Sequence, residues 1–108
     1  MSNDRLKELS GLYLLRTRDE LALLHGELSA AQQGNATALL AMQHTAHRIC
    51  GSGAMLGFKI ISDAAGKIER ILRRAEAVPS EAEWSIILEQ MQCIQVELDR
   101  PTMTDVDL

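Results

Sequence analysis

The sequence predicts an all-α fold, an antiparallel up-down four-helix bundle, from three observations. Hydrophobic residues make up 46% of the 108 residues but aromatic residues only 3%, so the core must come from Leu, Ile, Ala and Met, which favours helices over strands. Strand-like runs of alternating Val, Ile, Thr and Tyr are absent. The two prolines, Pro79 and Pro101, lie where a helix would end, and four amphipathic segments with short connections remain.

The first helix is expected to begin at about Asp4 or Ser10 and to end at Ala31. The later start applies if Gly11 separates a short leading turn from the main helix. Its leucines recur at spacings of about 3.6 residues, as on one face of a helix. They are Leu14, Leu21, Leu24 and Leu28. The tripeptide Gln-Gly-Asn at 33–35 predicts a turn after this helix.

The second helix is expected over about 36–53 and the third over about 57–77. The apolar stripe of the second helix consists of Leu39, Met42, Ala46, Ile49 and Gly53. The stripe of the third helix is the clearest in the sequence and consists of Ile61, Ala64, Ala65, Ile68, Ile71, Leu72 and Ala75. Both stripes follow the period of a helix, which indicates two helices packed against a common core.

The fourth helix is expected over about 80–99. Ser80 and Glu83 match a capping box, in which both side chains bind free amide groups at the helix start. The predicted buried face consists of Trp84, Ile87, Leu88, Met91 and Leu98. Pro101 should end the helix and leave residues 102–108 as a loose tail, so that residues 1–108 form one domain.

Charge and apolar patterning exclude several classes of partner. The formal net charge of −4 disfavours nucleic-acid binding, which needs clustered Lys and Arg. The uncharged apolar runs are too short to span a bilayer, and the first residues, MSNDRLKEL, lack the apolar stretch of a signal peptide. Cys50 and Cys93 form no spacing motif, and free thiols fit a reducing compartment. A cytoplasmic protein without membrane contacts is therefore expected.

The segment from Ala46 to Gly57 contains the residues most suited to chemistry. Because a helix turns by about 100° per residue, His47 should lie roughly 120° from the centre of the buried stripe, on the solvent side. His44 lies one turn before His47 on that face, and Gly51 lies one turn after it. The sequence therefore predicts an exposed imidazole beside a turn without a side chain.

Two glycines in one helical turn, Gly51 and Gly53, need a reason, since each is about 1 kcal/mol less favourable than Ala in a helix interior. One interpretation is that the helix ends there, because glycine favours C-terminal positions. The other is that a partner must approach His47 closely and that a side chain at Gly51 would block it. The residues alone leave both interpretations open.

The spacing of the residues in this segment resembles a known family. The positions that carry the resemblance are Ala46, His47, Cys50, Gly51, Ser52, Leu56 and Gly57, followed by Ile68 and Glu69 on the next helix. Histidine-containing phosphotransfer (Hpt) domains share this arrangement, although many have Lys where this chain has Cys50. The resemblance runs without a gap through the second and third helices, and the outer helices match only as a bundle pattern.

The resemblance implies a phosphorelay phosphocarrier. His47 would accept a phosphoryl group on Nε2 and exchange it with aspartates of response-regulator receiver domains, alone or as part of hybrid histidine kinases. Glu69 would accept a hydrogen bond from Nδ1 and so orient the ring. An imidazole in solution has a pKa of about 6.5, which leaves a nucleophilic nitrogen at neutral pH. No kinase activity, cofactor or metal site is expected, and the magnesium that assists transfer should belong to the receiver.

The main departure from the family pattern is Cys50. The family's lysine is thought to lie near the phosphoryl oxygens, whereas a thiol, with a reference pKa of about 8.5, is neutral at pH 7 unless perturbed. A cation from elsewhere could replace the lysine, and the candidates considered are Arg48, Lys59, Lys67 and Arg73. Two consequences stay open, namely slower or less stable phosphotransfer, or a degenerate domain that sequesters a receiver or kinase without phosphotransfer.

The remaining residues of the segment have weaker interpretations. Gly51 would give access to His47, and His44 would lie at the rim of a docking surface, where Phe58 is a weak further candidate. Ser52 is expected to be a helix-end or docking residue, and Cys50 a half-buried filler about 60° from the stripe.

Other interpretations of the chain as a whole remain. His47 could be a surface histidine without a role, and the pair His44 and His47 lacks the further ligands that a metal site needs. Kinase dimerisation domains also carry a phosphohistidine on a helical bundle, but they usually have an acidic residue directly after it, where this chain has Arg48. They are also obligate dimers, whereas a monomer is expected here.

Overall fold

The computed structural model describes residues 3–74 and 78–100 of the chain. These residues form four helices, α1 (Asn3–Gln32), α2 (Ala36–Leu56), α3 (Lys59–Arg74) and α4 (Glu81–Asp99). α2 packs against α3 and α1, α3 packs against α4, and α1 closes against α4, so α2 and α4 are diagonal. The short connections make consecutive helices antiparallel. The predicted all-α four-helix bundle is confirmed.

α1 is a single helix of 30 residues that begins at Asn3, so the expected start near Asp4 agrees with the structure and the alternative of a separate leading turn before Gly11 is wrong. A Cβ atom at Gly11 would have no neighbour within 4 Å, which places this residue on the open side of the helix. A glycine there lowers helix stability without forcing a break. The predicted turn over 33–35 is present, with Gly34 at a φ of 91°, and the Asn35 side chain caps α2 by accepting a 2.9 Å hydrogen bond from the Ala38 amide.

α2 continues through both of its glycines and ends at Leu56, three residues beyond the predicted end. Gly57 ends it, with a φ of 85° in the left-handed region that glycine adopts without strain. The Phe58 amide donates a 2.8 Å hydrogen bond back to the Gly53 carbonyl. The helix-end explanation for Gly51 and Gly53 is therefore wrong, and α3 begins at Lys59 rather than Gly57 because Gly57 forms the cap.

Ser80 forms the predicted capping box at the start of α4. The Glu83 amide donates to the Ser80 Oγ at 3.2 Å, and the Ser80 amide donates to the Glu83 Oε1 at 3.0 Å. The predicted end of the third helix at Ala77, the burial of Ala75 and the loose tail over 102–108 lie outside the described residues.

The core lies between the apolar stripes of the four helices, largely as predicted. Leu88 is an exception, since it is 41% exposed and Ile94 is fully buried instead. Ile94 falls on the same helical face as Ile87, whereas Leu88 is turned about 100° from Ile87 toward solvent. On α1 the core stripe also includes Tyr13 and Thr17, and the Thr17 hydroxyl donates a 2.7 Å hydrogen bond to the Tyr13 carbonyl.

Candidate functional site

The solvent-facing side of α2 carries the predicted histidine. Its exposed residues recur every three or four positions, on the side away from the core, and we call them the α2 outer face. They are Leu40, His44, His47, Gly51 and Met55. The His47 side chain is 67% exposed, as the helical period predicts. An imidazole in this position is accessible to a partner.

Glu69 of α3 lies beside His47 and binds its ring. The distance between His47 Nδ1 and Glu69 Oε2 is 2.7 Å, and the carboxylate is buried at the side of α3 that faces α2. An ionised carboxylate can only accept a hydrogen bond, so Nδ1 carries the ring proton. The remaining nitrogen, Nε2, then has its lone pair free, which is the tautomer that a nucleophilic histidine requires.

Arg73, one turn further along α3, is the second partner of Glu69. Its guanidinium donates to Oε2, the oxygen that also binds His47. A buried carboxylate is stable only when it is paired and hydrogen-bonded, and Arg73 meets that need from the solvent side. His47, Glu69 and Arg73 thus form one hydrogen-bonded chain across α2 and α3.

Two of the other candidate cations are paired away from His47. Arg48 donates to the buried Glu20 of α1 at 2.9 Å and to Thr45. Lys59 pairs with Asp63 at 3.0 Å, one turn along α3. Among the four cations that the sequence offered, Arg73 is the one that the described structure brings to the His47–Glu69 pair, and it binds the carboxylate.

Cys50 is half-buried between α2 and α3, as predicted for a filler. Its carbonyl accepts a 2.7 Å hydrogen bond from the Ser62 hydroxyl, and its Sγ lies 3.7 Å from the same hydroxyl oxygen. A Cβ atom at Gly66 would lie 3.3 Å from Cys50 Sγ. The sulfur therefore borders the space left by a missing side chain on α3.

The two glycines of α2 have different surroundings, so their presence needs different explanations. A Cβ atom at Gly53 would lie 2.6 Å from the Tyr13 hydroxyl oxygen and 3.2 Å from the Ser62 Cβ, whereas one at Gly51 would have no neighbour within 4 Å. Gly53 makes room for Tyr13, whose hydroxyl donates to the Ile49 carbonyl at 3.1 Å. Gly51 lies in open space one turn from His47, so packing does not explain it.

Phe58 and Ser52 are not brought to His47 in the way that a docking role would require. The Phe58 ring is half-buried and stacks on Tyr13, with 4.9 Å between the ring centroids. Ser52 follows His47 by five residues, which places it about 140° around α2 from the imidazole. Of the predicted docking residues, the structure places His44 and Gly51 on the α2 outer face.

Sequence reasoning missed a polar pair on the other side of α2, formed by Glu20 and Arg48. Glu20 lies in the buried register of α1, at helical spacing between Thr17 and Leu24. That spacing is visible in the sequence and would have marked Glu20 as a buried acid in need of a cation. Among the described residues, no group of three or more His, Cys, Asp or Glu side chains is arranged to hold a metal ion.

Comparison with known proteins gives one match. Residues 8–99 match the family model described as Hpt domain, which covers α2, α3, α4 and most of α1. No curated protein and no solved structure matches. None of the helices within 3–74 and 78–100 is both long enough and apolar enough to cross a membrane.

Proposed function

The chain belongs to the Hpt domain family, and from that premise we propose that it carries a phosphoryl group on His47 within a phosphorelay. The observation that carries the proposal is the 2.7 Å contact between His47 Nδ1 and the buried Glu69 carboxylate, combined with an imidazole that is 67% exposed. A histidine without a role has no need of a buried carboxylate that fixes its tautomer.

The proposed step is an exchange of the phosphoryl group between His47 and a receiver aspartate. The Nε2 lone pair attacks phosphorus, the bond from phosphorus to the aspartyl oxygen breaks, and its electron pair returns to the aspartate carboxylate. The proton on Nδ1 stays in the hydrogen bond to Glu69, which balances the positive charge that develops on the ring. The reverse reaction delivers the group to another aspartate. Magnesium, where it assists, is held by the receiver.

The α2 outer face suits a receiver as the docking partner. Leu40 is 51% exposed and Met55 87% exposed, and they lie on either side of His47 along α2. Gly51 leaves the turn beside the imidazole open. Exposed apolar side chains around a small polar centre are typical of a transient protein interface.

We place this exchange in the cytoplasm, with the chain as a monomer that has no kinase activity of its own.

The test is phosphotransfer from radiolabelled phospho-receivers, or receiver-bearing kinases, to the wild-type chain and two variants. His47→Gln should accept no acid-labile, base-stable label. Glu69→Ala should slow labelling by about 10–100-fold, the range for loss of a hydrogen bond to a charged group. Glu89→Ala, which removes an exposed carboxylate on α4, is the matched control and should label like wild type. Labelling of His47→Gln at the wild-type rate would overturn the proposal.

Cys50 favours a second candidate function, a binding module that sequesters a receiver or kinase without phosphotransfer. Its half-buried thiol provides no positive charge for a phosphoryl group. If a receiver in the panel binds the wild-type chain and none transfers label to it, this second function becomes the better one. Full biological activity of His47→Gln would also favour it.

A further inference from the structure

Arg70 borders the gap between the turn of α2 that follows His47 and the facing turn of α3. A Cβ atom at Gly66 would lie 3.3 Å from Arg70 Nη1 and 3.3 Å from Cys50 Sγ. Arg70 Nη1 and Cys50 Sγ are therefore at most twice 3.3 Å apart. We propose that Arg70 binds the oxygens of the phosphoryl group on His47, an inference that rests on the proposed phosphotransfer.

The register of the two helices brings this gap next to His47. Cys50 follows His47 by one turn of α2, and Gly66 precedes Glu69 by one turn of α3. Since α2 and α3 are antiparallel and His47 binds Glu69, the turn of Cys50 lies opposite the turn of Gly66. One turn corresponds to about 5 Å along the axis, which is within the reach of an arginine side chain.

Arg70 is available for an anionic ligand, whereas the other arginines of α3 are not. Arg73 binds Glu69, and Arg74 binds Glu83 at 2.5 Å. Within residues 3–74 and 78–100, the Arg70 side chain makes no hydrogen bond or ion pair. It is exposed.

A phosphoryl group on Nε2 carries up to two negative charges close to the Glu69 carboxylate. Cys50, at the facing position, provides no charge to offset them. A guanidinium presents several N–H donors in a plane that matches phosphoryl oxygens, and such charge-assisted hydrogen bonds are about twice as strong as neutral ones. Arg70 therefore has both the position and the chemistry to stabilise the phosphorylated state.

Gly66 keeps the passage for Arg70 open. A side chain at this position would press on the guanidinium and on the Cys50 sulfur at the same time. The absence of a side chain at Gly66 and the small side chain of Cys50 thus leave the space that the guanidinium enters.

The experiment measures the initial rate of His47 phosphorylation by phosphoramidate, a small anionic donor that needs no docking surface. Wild type is compared with Arg70→Gln, Arg70→Lys and Lys67→Gln. Arg70→Gln should be slower by about tenfold, the effect of one hydrogen bond to a charged group. Arg70→Lys should recover most of the rate. Lys67→Gln removes the same charge from an exposed residue of α3 and should stay within about twofold of wild type.

A second measurement separates a charge at the phosphoryl group from a structural role. The wild-type rate should fall as salt is added, because added ions screen the attraction between Arg70 and the donor, and Arg70→Gln should lose most of this dependence. Equal rates for Arg70→Gln and wild type would overturn the assignment to Arg70 while leaving phosphotransfer at His47 intact. A wild-type chain that neither phosphoramidate nor any receiver labels would overturn the proposed function and this inference with it.

Discussion

A methyl group added at Gly53 would collide with the Tyr13 hydroxyl oxygen, whereas one added at Gly51 would point into open space. We expect Gly53→Ala to lower the free energy of unfolding by about 1–3 kcal/mol, the range for overpacking a core. Gly51→Ala should raise it by up to about 1 kcal/mol, because alanine is the better helix former. Urea denaturation of both variants measures the two changes.

A double variant provides the control for this prediction. If the Tyr13 hydroxyl is the obstacle, Gly53→Ala combined with Tyr13→Phe should be less destabilised than the sum of the two single changes. Strict additivity would mean that Ser62, the other neighbour of the added Cβ, causes the strain instead.

Tyr13 also makes the stability of the folded protein depend on pH in the alkaline range. Burial raises the pKa of the Tyr13 hydroxyl, and the nearby Glu20 charge raises it further, although the Thr17 hydrogen bond acts in the opposite direction. Above pH 10, the ordinary pKa of the group, the unfolded chain ionises while the folded chain keeps its proton. The stability that Tyr13 contributes is therefore complete below pH 10 and is lost as the pH rises through the folded pKa.

Tyr13→Phe tests this linkage. Near pH 8 the variant should be less stable than wild type by about 1 kcal/mol, through loss of the hydrogen bond to Ile49. The difference should shrink by about pH 11, because only the wild type is then destabilised by ionisation of the unfolded chain. Urea denaturation at both pH values supplies the comparison, and a difference that stays constant would contradict the raised pKa.

At the residue scale, the sequence predicted the positions that follow from helical period and spacing. The period placed His47 in solvent, and the motif paired it with Glu69, the residue whose carboxylate the structure finds 2.7 Å away. It did not predict that Tyr13 would require Gly53. That contact depends on how the Tyr13 side chain of α1 packs across the boundary to α2, which spacing along one helix does not determine.

The start of α4 is an element whose stability depends on two side chains. Ser80→Ala should destabilise the protein by about 1 kcal/mol, through loss of the oxygen that caps the helix. Hydrogen bonds from the Ser80 amide and then from Arg74 hold the pKa of Glu83 below its ordinary value of 4.5. The contribution of Glu83 is therefore present above pH 4.5 and is lost as the pH falls through the lower folded pKa.

Glu83→Gln separates the charge of Glu83 from its hydrogen bond. Glutamine can still accept from the Ser80 amide but loses the ion pair with Arg74, so this variant should be less stable than wild type at neutral pH. The gap should close in acid, where wild-type Glu83 is protonated as well. Thermal melting across the acid range measures it, with Glu81→Gln, an exposed carboxylate in the same turn, as the control.

Element boundaries were harder to predict than the elements themselves. Gly51 and Gly53 left a helix end open as an interpretation because glycine weakens helices, yet of the three glycines at this end of α2 it is Gly57 that adopts a left-handed φ. The first two stay helical because the buried stripe of α2 continues to Gly53 and packing against Tyr13 holds it. Tertiary contacts thus outweigh an intrinsic preference of about 1 kcal/mol.

For the whole molecule, the amino-acid composition and the helical period of the apolar residues were enough to predict the architecture. A chain that is poor in aromatic residues and divided into four amphipathic segments has few ways to bury its stripes other than a bundle. The bundle in turn places α2 and α4 on a diagonal, so their exposed faces point to opposite sides. A partner that docks on the α2 outer face therefore leaves α4 uncovered.

This arrangement predicts that substitutions on the α2 outer face impair receiver docking, whereas substitutions on the exposed face of α4 do not. Met55 is 87% exposed on the α2 outer face, so Met55→Glu should leave folding unchanged. A carboxylate in an apolar contact loses its hydration when a partner binds, so transfer from a phospho-receiver should slow by about tenfold or more. Labelling by phosphoramidate should not change, because that donor needs no docking surface.

Ile86→Glu is the matched control, since it adds the same charge at a 42% exposed apolar residue of α4. Both variants have the same net charge, so a general electrostatic effect of the added carboxylate on the phospho-receiver would change their rates equally. We expect Ile86→Glu to accept the phosphoryl group from both donors at the wild-type rate. Equal slowing of the two variants with the phospho-receiver would show that charge, and not the α2 outer face, governs the encounter. Slowing of Met55→Glu with phosphoramidate as well would place its effect at His47 itself.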